Sequence, residues 1–217
     1  MRLTLRPFPS PEAMADAAAE ILISALASAL AARGSALLIA TGGGTAPLIY
    51  QRLHTAPIDW SKVTVTLSDD RCVPEDHPAS NARLLRETFL RGAAGQARFV
   101  GLTDRAAVDA LAFPADAALL GMGGDLHIAS IFPAGAGMAQ AHEARARIVE
   151  TTPDPLPANA PFARLTLSLP TLAASRLICV AFSGEDKRRA LESAQDDAPI
   201  RSLAQRAGDR LQIVCSI

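Results

Sequence analysis

The chain has 217 residues with 21 basic and 22 acidic side chains, a net charge of −1, so no global field marks it as a binder of nucleic acid or of an anionic membrane. Its apolar share of 49% and charged share of 20% suit a globular protein, and a chain of this length buries roughly 70% of its unfolded surface, enough for one domain without disulfide or metal. Cys72, Cys179 and Cys215 show no close pairing, which argues against a secreted disulfide framework.

The N-terminal MRLTLRPFPS lacks the apolar core of a signal peptide, and residues 3–6 read as a first strand. Ser10-Pro11-Glu12 then supplies an N-cap, a first-turn proline and an early acid. A long helix is predicted to run to about Arg33, where Gly34 stops it. Its apolar stretch, residues 13–32, is broken by Asp16, Glu20 and several serines, so it reads as a core helix rather than a membrane span. Residues 35–40 (SALLIA) form a short apolar strand that runs straight into TGGGTAP and a helix through Leu53.

VTVTL, residues 63–67, is the next strand and ends in SDDR. A helix follows over 81–91, capped by Ser80, then strands at 97–102 and 117–122 with a helix over 103–111 between them. Further strands are predicted at 147–152, 165–169, 177–182 and 211–215, with helices over 185–194 and 200–207, and residues 152–161 as the one long loop. Strands apolar on both faces and alternating with helices predict a three-layer α/β fold, with a mainly parallel sheet and helices on both faces. Without repeats or a low-complexity linker, residues 1–217 are expected to form a single domain in the cytoplasm.

Ligands of such folds gather beyond the carboxyl ends of the strands, where this chain places its polar clusters. Thr41-Gly42-Gly43-Gly44-Thr45 joins a strand to a helix, so its glycines and free helix N–H groups suit a phosphate; the plainer alternative is a tight turn. It is neither a Walker loop nor GxGxxG. Asp69-Asp70-Arg71 either forms a solvated, self-neutralising loop or aims Arg71 at a substrate anion or developing oxyanion. His77, just before the next helix, reads as a cap partner. His127 follows an apolar strand two residues after Asp125, a setting for general acid–base chemistry or for a structural histidine. His54 and His142 have no such setting and read as surface residues. Lys187, in SGEDK, either reaches a phosphate or is an ordinary first-turn lysine. No HExxH, CxxC or other ligand spacing is present, so neither metal nor cofactor is expected.

Taken together these segments resemble the 6-phosphogluconolactonases, relatives of the glucosamine-6-phosphate deaminases. DDRCVPEDHPASN is similar to the family's acidic-acidic-Arg-x-Val-Pro followed by His-x-x-Ser-Asn. GMGGDLHIASIFP is similar to its Gly-Met-Gly-x-Asp-Gly-His-Thr-Ala-Ser-x-Phe-Pro, and TGGGT and SGEDK match its phosphate loop and late Ser-Gly-x-x-Lys. The likeness spans about residues 36–190. Leu126 replaces the family's Gly, a costly change if that backbone needs a positive φ; Ile128 replaces Thr, Asp70 replaces Glu, and Pro47 stands one residue late.

The resemblance implies hydrolysis of 6-phospho-D-glucono-1,5-lactone in the oxidative pentose phosphate pathway, with His127 as general base, Asp125 orienting it and Arg71 facing substrate oxygens. It further implies that Gly42, Gly43, Gly44, Thr45, Asp69 and Lys187 hold the phosphorylated sugar. The expected partner is a small sugar phosphate, with neither nucleic acid nor membrane, and a monomer is favoured. Two rival readings remain. A glucosamine-6-phosphate deaminase would carry Tyr in place of Arg71 and Phe-Asn-Glu-Pro in place of Ser130-Ile131-Phe132-Pro133. A sugar-phosphate-sensing regulator would add a DNA-binding helix-turn-helix.

Overall fold

A computed structural model describes residues 3–158 and 160–217. In chain order these form β1 (Leu5–Phe8), α1 (Pro11–Arg33), β2 (Ala36–Ala40), α2 (Ala46–Leu53), β3 (Val63–Leu67), β4 (Asp69–Arg71), α3 (Asn81–Thr88) and β5 (Arg98–Val100). They continue with α4 (Arg105–Asp109), β6 (Ala117–Leu120), β7 (Gly135–Ala136), α5 (Met138–Glu143), β8 (Ile148–Pro153) and β9 (Arg164–Leu167). The last are α6 (Leu169–Ala173), β10 (Ile178–Ser183), α7 (Glu185–Glu192), α8 (Pro199–Ala207) and β11 (Leu211–Ser216).

Seven strands form a parallel sheet in the order β1-β11-β10-β6-β2-β3-β5. Its central strands are those whose sequences are apolar throughout: every residue of β2 (ALLIA) and β6 (AALL) is buried. This is the expected α/β architecture, with helices packed on a mainly parallel sheet. α1 begins at Ser10, whose Oγ accepts the Ala13 N–H at 3.2 Å, and ends at Gly34, which takes φ +73 and returns its N–H to the Leu30 carbonyl. Met14, Ala18, Leu22, Leu26 and Ala29 recur at helical spacing and are buried against the sheet, so the helix is a core element, as its interrupting polar residues predict.

Three of the departures from the expected elements have a clear physical cause. β1 starts two residues later than predicted because its register is set by pairing Leu5–Phe8 with Ile213–Ser216. The strand predicted at 165–169 ends at Leu167; Ser168 leads into α6, with Pro170 near the helix start, where its fixed φ is helical. Most important, a second, antiparallel sheet of order β4-β9-β8-β7 was not foreseen. β8 takes in the first residues of the predicted long loop through Pro153; Asn159 of that loop lies outside the described residues.

The chain passes between the two sheets at Ser68. Its N–H donates to the carbonyl of Ala40, the last residue of β2, while its own carbonyl accepts the Leu167 N–H of β9. Asp69-Asp70-Arg71 is therefore a strand, β4, rather than a solvated loop, and its backbone is held in register opposite Thr166, Leu165 and Arg164.

At the opposite end of the parallel sheet, Asp116 ties β2 to the start of β6. Its buried carboxylate accepts the Leu37 N–H at 2.9 Å and pairs with Arg33 and Arg176. Replacing Asp116 with alanine leaves the buried Leu37 N–H unpaired, an expected loss of about 2–4 kcal/mol in urea unfolding. Arg33→Ala, at a side chain 43% exposed, should cost under about 1 kcal/mol. Equal costs would contradict this role for Asp116.

Candidate active site

Strand order reverses between β2 and β6. From β2 the chain proceeds through β3 to β5 on one side, and from β6 through β10 to β11 on the other. The segments that leave the carboxyl ends of these two neighbours diverge, and a cavity of about 380 Å³ opens between them. Thr41, Gly42, Gly43, Gly44 and Thr45 line one wall, Gly121 to Gly123 and His127 another, Asp69, Arg71 and Asn81 a third, and Lys187 reaches in from α7. Of the catalytic and substrate-binding residues that the resemblance implies, only Asp125 is outside this lining; it stands behind His127, beside a second cavity of about 490 Å³ bounded by Phe132, Pro133 and Pro153.

The glycine loop is anchored by a residue that sequence reasoning passed over. The buried Tyr50 hydroxyl accepts the Thr41 N–H at 2.9 Å and donates to the Thr41 carbonyl at 2.5 Å, fixing the exit from β2. Its ring stacks on Phe89 at 4.8 Å. Burial raises its pKa above the ordinary value, so it stays neutral. As the chain's one tyrosine, nine residues after Thr41 on the following helix, it was visible but carried no motif. At Thr45, which precedes α2, no side chain caps the helix, and no acid occupies the first turn. The loop therefore presents uncapped helix N–H groups and glycine backbone to the cavity, as an anion site needs.

His127 is held by local geometry. Its Nδ1 lies 2.5 Å from Asp125 Oδ1, and its backbone N–H reaches the same oxygen at 3.3 Å. With Nδ1 engaged, Nε2 is the nitrogen available for chemistry. Burial pushes the Asp125 carboxyl up, but its hydrogen bond to His127 and the charge of that ring outweigh burial and hold it below its ordinary value. The imidazole lies directly over Gly123: a Cβ there would fall 2.2 Å from its Cε1 and Nδ1, so no larger residue fits. Leu126 adopts φ +69 and Ala129 φ +49, so the turn carrying His127 requires the left-handed conformation for which leucine is costly.

In β4, Asp69 is 7% exposed; its two oxygens accept the Ser68 hydroxyl at 2.7 Å and the Ser130 hydroxyl at 2.6 Å. Asp70 turns instead to the start of α3, accepting the Asn81 N–H at 2.6 Å and the Ala82 N–H at 3.0 Å. Burial raises its pKa, against the pull of those N–H groups. Ser80 caps the same helix, as predicted, through the Arg83 N–H. Arg71 Nη1 donates to the Ala79 carbonyl and Asn81 Oδ1, and Lys187 Nζ donates to the Met122 carbonyl at 2.8 Å. Among the described residues neither cation is in an ion pair with a carboxylate, so both keep their charge for the cavity.

The remaining candidates fall elsewhere. His77 accepts the Ala79 N–H at 3.0 Å, the cap-like role expected of it. His54 and His142 are half-buried rather than at the surface, His54 at the residue that caps the end of α2 and His142 in the last turn of α5. Cys179 and Cys215 are buried; Cys72 is exposed beyond β4. Arg164, opposite Arg71 in the second sheet, is buried beneath the Ala160 and Phe162 carbonyls, and burial followed by the Arg71 charge lowers its pKa. Among the described residues no group of three or more His, Cys, Asp or Glu side chains is placed to hold a metal ion.

Comparison with known proteins draws these features together. The family profile described as glucosamine-6-phosphate isomerases/6-phosphogluconolactonase matches residues 9–212. The chain is 36% identical to a 6-phosphogluconolactonase of Rhizobium meliloti over 98% of both sequences, and 39% identical to one of Pseudomonas aeruginosa over 78% of this chain and 75% of that protein. A crystal structure of a 6-phosphogluconolactonase from Shewanella baltica superposes with a TM-score of 0.88 at 36% identity, covering 100% of this chain and 98% of that one. A monomeric glucosamine-6-phosphate deaminase shares the fold, with a TM-score of 0.78 at 20% identity over 99% and 97% of the two chains. The chain belongs to the glucosamine-6-phosphate isomerase/6-phosphogluconolactonase family.

Proposed function

We propose that the chain is a 6-phosphogluconolactonase, opening 6-phospho-D-glucono-1,5-lactone to 6-phospho-D-gluconate in the cytoplasmic pentose phosphate pathway, as a single-domain monomer. The observation that carries the reading is one cavity lined by a glycine-rich helix start and Lys187 and also by a histidine backed by a carboxylate. The curated relatives at 36–39% identity that bear the lactonase name support the same branch. Ser130 favours it too: a lactonase-type residue, it spends its hydroxyl on Asp69.

In this reading the Gly42–Gly44 backbone, Thr45 and Lys187 receive the phosphate, while Asp69 faces the sugar. His127 Nε2 takes a proton from water as the water oxygen bonds to the lactone carbonyl carbon. Arg71 faces the oxygen on which negative charge develops. The bond from that carbon to the ring oxygen then breaks, and His127 returns the proton to the ring oxygen as it leaves. Asp125 keeps the imidazole in one orientation and stabilises its protonated form. A lactone is an activated ester, so this route requires neither a metal nor a covalent intermediate.

The direct test is catalysed opening of freshly prepared 6-phosphogluconolactone above its spontaneous hydrolysis, in parallel with deamination of glucosamine-6-phosphate. Turnover of the amine and not of the lactone would move the chain to the other branch. His127→Ala should fold normally, bind 6-phosphogluconate and lose kcat on the order of 10²–10⁴-fold. His127→Asn, which hydrogen-bonds but shuttles no proton, should be nearly as impaired; wild-type kcat in either variant would refute the base assignment. Lys187→Ala should act chiefly on KM, and an unchanged KM in a folded variant would remove Lys187 from the phosphate site. Exhaustive chelation should leave activity intact; loss restored by added metal would contradict the metal-free route.

A further inference from the structure

We propose that Asn81 is a positioning residue that locks the glycine loop to Arg71, and that position 42 is glycine because the Asn81 side chain occupies the space a Cβ would need. The kinetic readouts of this inference rest on the lactonase reading above.

The three glycines of the loop stand in different surroundings. A Cβ added at Gly43 or Gly44 meets nothing within 4 Å, so those two positions face open space. A Cβ added at Gly42 would fall 2.0 Å from Asn81 Oδ1, 2.3 Å from its Cγ and 2.8 Å from its Nδ2. Gly42 is not among the positive-φ glycines, so its backbone alone does not require glycine. The obstacle to a larger residue there is the asparagine.

Asn81 is 3% exposed, and both ends of its amide are used. Oδ1 accepts from Arg71 Nη1 at 3.0 Å, and Nδ2 donates to the Asp69 carbonyl at 3.0 Å. Turning the amide over would set N–H against the guanidinium and oxygen against the carbonyl, so the two partners fix one orientation. The backbone N–H of the same residue is held by Asp70 at 2.6 Å. One side chain thus touches the loop after β2, the backbone of β4 and the guanidinium of Arg71. A shift of the glycine loop displaces the amide, and with it Arg71. The arrangement sets the spacing between the loop that receives phosphate and the cation that faces the reacting carbonyl.

The test is a pair of double-variant cycles read as kcat and KM for 6-phosphogluconolactone and, independently of turnover, as the affinity for inorganic phosphate. Asn81→Ala should lower kcat about 10- to 100-fold, the scale of one hydrogen bond to a charged group, with a smaller change in KM. Gly42→Ala should do similar damage by expelling the amide. Combined, the two should fall no further than the worse single variant, because the space the alanine needs is then empty. Asn81→Ala should likewise add little to Arg71→Ala. Asn81→Asp, which keeps an acceptor for Arg71 but loses the donor to Asp69, should recover part of kcat. Should Asn81→Ala not accumulate as folded protein, Asn81→Ser vacates the same space and enters both cycles in its place. Effects of positions 42 and 81 that multiply would show that Gly42 is required for the ligand and not for Asn81, and overturn the inference. Wild-type kcat in Asn81→Ala would do the same. Absence of lactone opening by the wild-type protein would instead defeat the lactonase reading, leaving the Gly42–Asn81 coupling to be read from phosphate affinity.

Discussion

Between β2 and β6 the chain reverses the direction in which it lays down strands, and the segments leaving these two neighbours must part. The rest of the site follows from that constraint. Both strands are buried along their whole length, so the first positions at which polar groups can gather are those just past their carboxyl ends. The loop after β2 supplies backbone N–H groups and a helix start; the turn after β6 supplies His127. Apolar packing on the strands and polar chemistry at their ends are two consequences of one topology.

The second sheet completes the cavity. By leaving the parallel sheet at Ser68 and pairing β4 with β9, the chain brings three consecutive charged residues to the same edge and gives each a different partner. Asp69 is held by serine hydroxyls, Asp70 by the start of α3, and Arg71 by Asn81 and the Ala79 carbonyl. A free loop would have left these side chains to water and to each other. Strand pairing holds Arg71 toward the cavity and keeps the carboxylates from neutralising it in a direct ion pair.

The parallel sheet was legible because its strands are continuous apolar runs separated by helix signals, and β2, β3, β6, β10 and β11 fall within a residue or two of where those runs predict them. The convergence of TGGGT, DDR, His127 and Lys187 was legible for the same reason, since each cluster follows such a run. The second sheet was not. β4 is three charged residues and β7 is a glycine and an alanine, and neither carries an alternating pattern; their strand character comes from partners distant in sequence. Tyr50 escaped notice, and Ser130 was read only as a mark of the lactonase branch, because the structural part each plays lies in a hydroxyl meeting a group brought near by the fold. Leu126 shows the opposite case. The cost of leucine at a positive φ was anticipated from its place in the turn, and the turn does take φ +69 there.

The account depends on a single placement: phosphate at the glycine loop and Lys187, reacting carbon at His127 and Arg71. A crystal structure with 6-phosphogluconate bound tests it most directly. The account predicts the phosphate on the Gly43 and Gly44 backbone and Lys187 Nζ, and the carboxylate formed from the lactone carbon within hydrogen-bond distance of His127 Nε2 and Arg71. A ligand bound in the reverse direction, with its phosphate on His127 and its carboxylate at the glycine loop, would contradict it.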